Sequence, residues 1–225
     1  MILSDKEYNE FMGKGVRVAG VTAMLLAAMI MGWKAKPQMG TLYRVVQIVD
    51  GDTFFIANRQ PIRLYGLDAP ELANCYGAEA KKELARLTLN KQVEFREILS
   101  EGSGRRILAM VYLDGKLINE QLIRNGFARY RGQGNTVTKT LKEAGEYARE
   151  NKLGIYSPRC YQMNPPDSNC PIKGNIDHIK KTKSYYLPEC KIYNDVEIER
   201  YLGDEWFCSE KEAKAADYVK AKTCQ

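Results

Sequence analysis

Between residues 43 and 113 the chain carries a turn signal roughly every ten residues, the punctuation of a small β-rich unit, and this constrains its fold more than any other feature. Tyr43 to Val49 (YRVVQIV) is rich in β-branched residues and stops at Asp50-Gly51-Asp52. Thr53 to Ala57 continues as a strand, Asn58-Arg59-Gln60-Pro61 reads as a hairpin loop, and Ile62 to Leu67 is the next strand, ended by Asp68-Ala69-Pro70. Val93 to Leu99 and Ile107 to Leu113 are two more, separated by the Gly-rich stretch Ser100 to Gly104. Asp114-Gly115 is a hairpin turn signal.

Helical spacing is interleaved with these strands. Ala80, Leu84 and Leu87 fall on one face of a helix expected over Ala78 to Leu89. A second helix runs from Leu117 to Asn125 with Gly126 as its stop, and a third from Thr138 to Asn151, with Gly154 shortly after. Short strands followed by covering helices give an α+β fold, a five-stranded Greek-key barrel of the OB type with about three helices. With 44% apolar and 28% charged residues, the 225-residue chain is neither disordered nor collagen-like.

Before the barrel, Val18 to Trp33 is an uncharged run (VAGVTAMLLAAMIMGW), about 24 Å long as a helix. Arg17 and Lys34 flank it, and Trp33 suits a membrane interface. It reads as an uncleaved signal anchor, with Ala35 to Gly40 as a linker. A cleaved signal peptide, and hence a secreted protein, is the alternative. The six cysteines all lie beyond residue 41, four of them from Cys170 onward, and no CxxC pair occurs. An even count of this kind points to disulfides in an extracytoplasmic, oxidising compartment, with a zinc site in the last four as the rival.

The net charge of +6 is unevenly spread: residues 41–160 hold 19 basic against 14 acidic groups, residues 161–225 hold 10 against 11. A polyanionic partner would therefore meet the middle segment. That segment also holds a chemically coherent set. Two acidic turns, Asp50-Gly51-Asp52-Thr53 and Asp68-Ala69-Pro70-Glu71, end neighbouring strands, and carboxylates so placed can converge on one hard cation. Arg63 lies on the strand between them, and Arg105-Arg106 follows the Gly-rich stretch. Carboxylates, a metal and two arginines are what phosphodiester hydrolysis requires.

Residues 41–158 resemble the staphylococcal nuclease (thermonuclease) family through VVQIVDGDTFFI, IRLYGLDAPE, RILAMVYLDGKLINEQLIRNGFAR and NKLGIYS, in family order. The resemblance implies Ca²⁺-dependent cleavage of DNA and/or RNA. It implies Asp52 and Asp68 as metal ligands with the carbonyl of Ala69, Glu71 as general base, and Arg63 and Arg106 as the arginines on the scissile phosphate. Asp50 would stand behind the ligands. Gly104 stands where the best-known members carry a nucleotide-stacking tyrosine, which leaves Tyr112 and Tyr130 as candidate stacking faces. The alternative is a non-catalytic OB-type module binding nucleic acid or protein at the cell surface.

The chain thus divides into an anchor and linker (1–40), a nuclease-like domain (41–160) and a cysteine-bearing C-terminal module (161–225). The last resembles a small module appended to bacterial secreted nuclease-like proteins. Glu205 to Cys208 reads as a strand or core anchor, Glu210 to Lys222 as a helix, and His178 as an exposed loop residue. Parity suggests that Cys75 pairs with Cys160, which leaves three possible pairings for the other four cysteines. No protein partner is evident.

Overall fold

A computed structural model describes residues 41–101, 106–132 and 136–224; of residues 100, 101 and 106 it describes the backbone only. The expected anchor lies outside the described residues, and no helix among the described residues is long and apolar enough to cross a membrane.

Strand β1 (Leu42–Ile48) buries Val45 and Ile48, three residues apart. A strict two-residue alternation forbids that, and a bulge resolves it: the register with β2 (Thr53–Ile56) shifts between Val45 and Gln47, so both side chains reach the core. β2 pairs with β3 (Pro61–Leu64), and β1 pairs on its other side with β5 (Gln92–Glu101). β5 pairs with β6 (Arg106–Leu113), and β6 returns parallel to β3, Ile62 opposite Ile107. That last pairing closes five strands into a barrel and leaves no open edge on that side. A short β7 (Lys116–Leu117) folds back on the end of β6. Phe54, Ile62, Leu64, Val93, Met110 and Val111 fill the barrel. β5 has its own bulge between Arg96 and Leu99, where Glu97 takes a positive φ and accepts hydrogen bonds from the Thr136 amide and hydroxyl.

Three helices cover the barrel: α1 (Gly77–Thr88), α2 (Ile118–Arg124) and α3 (Thr138–Glu150). Each lies within a residue or two of its expected span. Their apolar stripes supply Leu84, Leu122 and Leu141 to the same core. The strand expected from Ile62 to Leu67 is broken. The chain turns at Tyr65-Gly66, with Gly66 at φ 77°, before a short β4 (Leu67–Asp68). Buried Asn119 holds that break: its Nδ2 donates to the carbonyls of Tyr65 (2.9 Å) and Ala109 (3.2 Å), and its Oδ1 accepts from the Val111 amide (2.9 Å). β4 then pairs with β8 (Arg129–Tyr130), Asp68 opposite Arg129.

Beyond α2 and α3 the backbone of Gly126 meets that of Gly154. Both have positive φ, and a Cβ on Gly154 would sit 2.0 Å from the Gly126 carbonyl oxygen. That carbonyl accepts from the Ile155 amide (2.9 Å), so the two helix exits are fastened backbone to backbone.

The described residues belong to one compact unit, Gly40–Gln225. Its C-terminal part builds a second small sheet from β10 (Ile172–Asp177), β11 (Thr182–Tyr186), β13 (Glu205–Phe207) and β14 (Val219–Lys220), in the order β13-β10-β11-β14. β9 (Tyr161–Gln162) pairs with β12 (Ile198–Glu199). Buried Lys173 donates to the carbonyls of Tyr193 (2.9 Å) and Val196 (2.7 Å), and burial pushes its ammonium pKa down. The helix expected from Glu210 to Lys222 is shorter. α4 (Glu210–Ala215) ends where Asp217 adopts a positive φ, which lets Tyr218 pack in the core and Val219 pair alongside Ser184.

All six cysteines are bonded: Cys75–Cys160, the pair parity suggests, then Cys170–Cys208 and Cys190–Cys224. The first spans a sequence separation of 85, and closing a loop that long constrains the unfolded chain by about 4.6 kcal/mol in the chain-entropy picture. Around it Ala148, Ile155, Tyr156, Cys160 and Tyr201 form a third core cluster.

Candidate active site

The two acidic turns meet at one rim of the barrel. Asp52 leaves the β1–β2 turn only 2% exposed, and its amide donates to Asp50 Oδ1 (3.0 Å). Gly51 between them has no room for a side chain: a Cβ would lie 2.6 Å from that of Ala80 and 2.7 Å from that of Ala69. The Asp-Gly-Asp turn is thereby pressed against α1 and against the second acidic turn. Asp52 Oδ2 accepts the Ala69 amide (3.1 Å), and Oδ1 accepts the Thr53 hydroxyl (2.8 Å).

Arg63, on β3 between the turns, joins them. It donates to Asp52 Oδ1 at 2.6 Å and to Asp68 Oδ1 at 2.7 Å. Asp68 is held from the other side by Arg129, through Nε at 3.2 Å and a terminal nitrogen at 2.8 Å, with Arg131 at 4.0 Å. Burial is the largest influence on Asp52. With help from the Asp50 charge it overrides Arg63 and the Ala69 and Thr53 hydrogen bonds, pushing the pKa up to about 7.

Of the residues expected at the site, Asp52, Arg63, Asp68 and Ala69 come together in this network. Glu71 sits on the exposed turn two residues beyond Ala69; its carbonyl accepts the Asn74 amide (2.9 Å) and packs against Gly77. Arg106 opens β6, backbone-paired with Glu101, while Arg105 lies outside the described residues. Tyr112 has one ring face covered by the Arg96 guanidinium, 4.1 Å from its centroid. Sequence patterning misses Arg129. It reaches the site through a long-range pairing of two-residue strands, which local patterns do not register.

Two carboxylates from different turns, one of them buried, are donors of the kind a hard divalent cation takes. Among the described residues no three carboxylates, histidines or thiols gather at one point. A cation here would therefore complete its shell with backbone carbonyl oxygen and water, as Ca²⁺ does.

The closed OB-type barrel thus carries carboxylates and arginines interleaved on one rim. Comparison with known proteins specifies the class. Residues 61–158 match the family model described as staphylococcal nuclease homologue. The "Micrococcal nuclease" of Shigella flexneri is 34% identical over 125 residues, covering 50% of this chain and 72% of that protein. An "Uncharacterized endonuclease" of Escherichia coli is 34% identical over 118 residues (51% and 76%). The "Thermonuclease" of Staphylococcus hyicus is 30% identical over 129 residues (51% and 75%). The chain belongs to the staphylococcal nuclease family.

Proposed function

We propose that this protein is a Ca²⁺-dependent nuclease that hydrolyses DNA and/or RNA by in-line attack of water on phosphorus. The observation that carries the reading is the Arg63 bridge between Asp52 and Asp68. It gathers on one rim the charges that a phosphate and a hard cation would each take over. Asp52, Asp68 and the carbonyl of Ala69 would hold the ion. When bound, Ca²⁺ supplies positive charge to the substrate phosphate and the attacking water.

The residues of the chain do the rest. Glu71 is exposed to solvent and takes the proton from water. Arg63 turns part of its donor fork to the phosphate, and Arg106 donates to it from β6, so both offset the negative charge that grows in the transition state. Arg129 keeps Asp68 oriented when Arg63 shifts toward substrate. We further propose that residues 1–40 anchor the enzyme, that residues 41–160 are the nuclease domain facing an extracytoplasmic, oxidising space, and that residues 161–225 are a cysteine-bearing C-terminal module.

The test is incubation of the protein with DNA and RNA in Ca²⁺ or in excess chelator. Cleavage in Ca²⁺ alone is expected, with Glu71→Gln and Arg106→Ala each lowering kcat about 10²–10⁴-fold while the melting temperature holds. Binding without cleavage under every divalent metal would instead identify a non-catalytic barrel.

A further inference from the structure

We propose that the C-terminal module positions the turn carrying Glu71, through a clamp at Asn74 and Cys75. The inference rests on the nuclease reading above and gives the module a place in it.

Six residues after Glu71 the chain enters α1, and in that interval distant parts of the chain take hold of it. Cys75 is bonded to Cys160, the last residue of the nuclease domain, whose carbonyl accepts the Arg200 amide of the module (2.9 Å). The Cys75 amide donates to the Arg200 carbonyl (3.3 Å), and Asn74 Nδ2 donates to the Tyr201 carbonyl (3.3 Å). Arg159 pairs with Glu79 on α1 and lies over the Tyr76 ring, 5.1 Å from its centroid. The clamp connects directly to Glu71. The Asn74 amide donates to the Glu71 carbonyl (2.9 Å), and the Gly77 amide donates to the Asn74 carbonyl (3.0 Å). Gly77 packs so closely that a Cβ there would lie 2.0 Å from the Glu71 carbonyl oxygen. Asn74 thus links the Glu71 backbone to residue 201, and Cys75 beside it bonds residue 200.

The barrel supplies the other side of the site without this help, since Asp52, Arg63 and Asp68 are fixed by their own pairing and by Arg129. Glu71 is the member whose turn is held from outside the barrel, by the Cys75–Cys160 bond and by the Arg200 and Tyr201 carbonyls of the module. Cys75 also lines a cavity of about 640 Å³ at the junction, with Asn74, Tyr76, Arg159, Arg200 and Trp206. A small dithiol can enter there. Two thiolate–disulfide exchanges would break the Cys75–Cys160 bond, leave two thiols, and convert the dithiol to its own disulfide. Turnover would then depend on the oxidation state of this one bond.

The experiment compares the full chain with the Cys75→Ser/Cys160→Ser double variant and with Asn74→Ala. It reads kcat and KM on DNA in Ca²⁺, and amide hydrogen exchange over residues 71–77. The double variant is expected to lose about tenfold or more in kcat with KM within about threefold, because misplacing a catalytic group raises the barrier more than it weakens binding. Exchange over residues 71–77 should quicken while the barrel amides of Phe54 and Met110 keep their protection. Asn74→Ala should move both readouts the same way by a smaller factor, and it decides the matter if the double variant does not fold. Unchanged kcat with unchanged exchange in a folded variant would overturn the clamp. Wild-type protein inactive under every metal would overturn the nuclease reading instead, with the exchange data still deciding the clamp.

Discussion

Arg129 directs two N–H donors at one oxygen of Asp68, Oδ2, and leaves Oδ1 to Arg63. Asp68 therefore stays oriented when Arg63 moves. Groups that orient a metal-binding carboxylate typically matter by about 10–100-fold in metal affinity. Arg129→Ala is expected to raise the Ca²⁺ concentration for half-maximal cleavage by that factor, with kcat at saturating Ca²⁺ changed much less. A Ca²⁺ titration of activity measures both.

Removing Arg63 has two separable effects. It deletes a phosphate-binding group, and it leaves Asp52 and Asp68 facing each other with less compensation. Breaking a largely buried ion pair by deleting one partner costs about 3–5 kcal/mol, and the partial exposure of Asp68 and Arg63 places this site at or below the lower end. Arg63→Ala is expected to melt lower than wild type in chelator and to regain part of the loss in Ca²⁺. Paired melting curves with and without Ca²⁺ check this.

Asn119 is fully buried and hydrogen-bonds three backbone groups around the break after β3, one of which, the Ala109 carbonyl, also accepts the Tyr65 amide (2.9 Å). Leaving buried polar groups unsatisfied costs about 1–3 kcal/mol each. Asn119→Leu, close in size but without hydrogen-bonding groups, is expected to lower stability by about 2 kcal/mol or more, read by urea unfolding. Because β4 starts two residues after Tyr65, activity should fall as well.

Asp204 sets a pH dependence in the C-terminal module. Burial pushes its pKa up to about 6, against hydrogen bonds from the amides of Ile176 and Glu199 and from Asn175. The folded state thus holds a proton that the unfolded chain has released. This contribution is fully present below about pH 4 and is lost as pH rises through about 6. It amounts to at most about 3 kcal/mol. Urea unfolding of wild type and Asp204→Asn across pH 4–8 should show the wild type losing that much relative to the variant.

The barrel was legible because its signals are local. The strands and the three covering helices follow from β-branched runs, turn residues and helical spacing, and Asp52, Arg63 and Asp68 fall on elements whose order brings them to one rim. Three features were not legible, each because a distant partner decides it. Tyr65-Gly66 breaks an apparently continuous strand because Asn119, 54 residues on, binds the freed carbonyl. Residues 216–222 look helical by composition, yet Tyr218 leaves the helix for the core of the C-terminal sheet. Arg129 reaches Asp68 across 61 residues through a two-residue pairing.

The disulfide pattern carries a consequence for how the molecule can be made. Cysteines that pair in order of emergence would join Cys75 to Cys160 correctly and then Cys170 to Cys190 and Cys208 to Cys224. The native bonds interleave instead, Cys170 with Cys208 and Cys190 with Cys224. The C-terminal module can therefore reach its bonding only after Cys208 and Cys224 are both available, or by reshuffling earlier bonds, a process of seconds to hours that depends on an isomerase. A producing cell that oxidises thiols quickly but exchanges them slowly would yield a finished barrel joined to a scrambled tail.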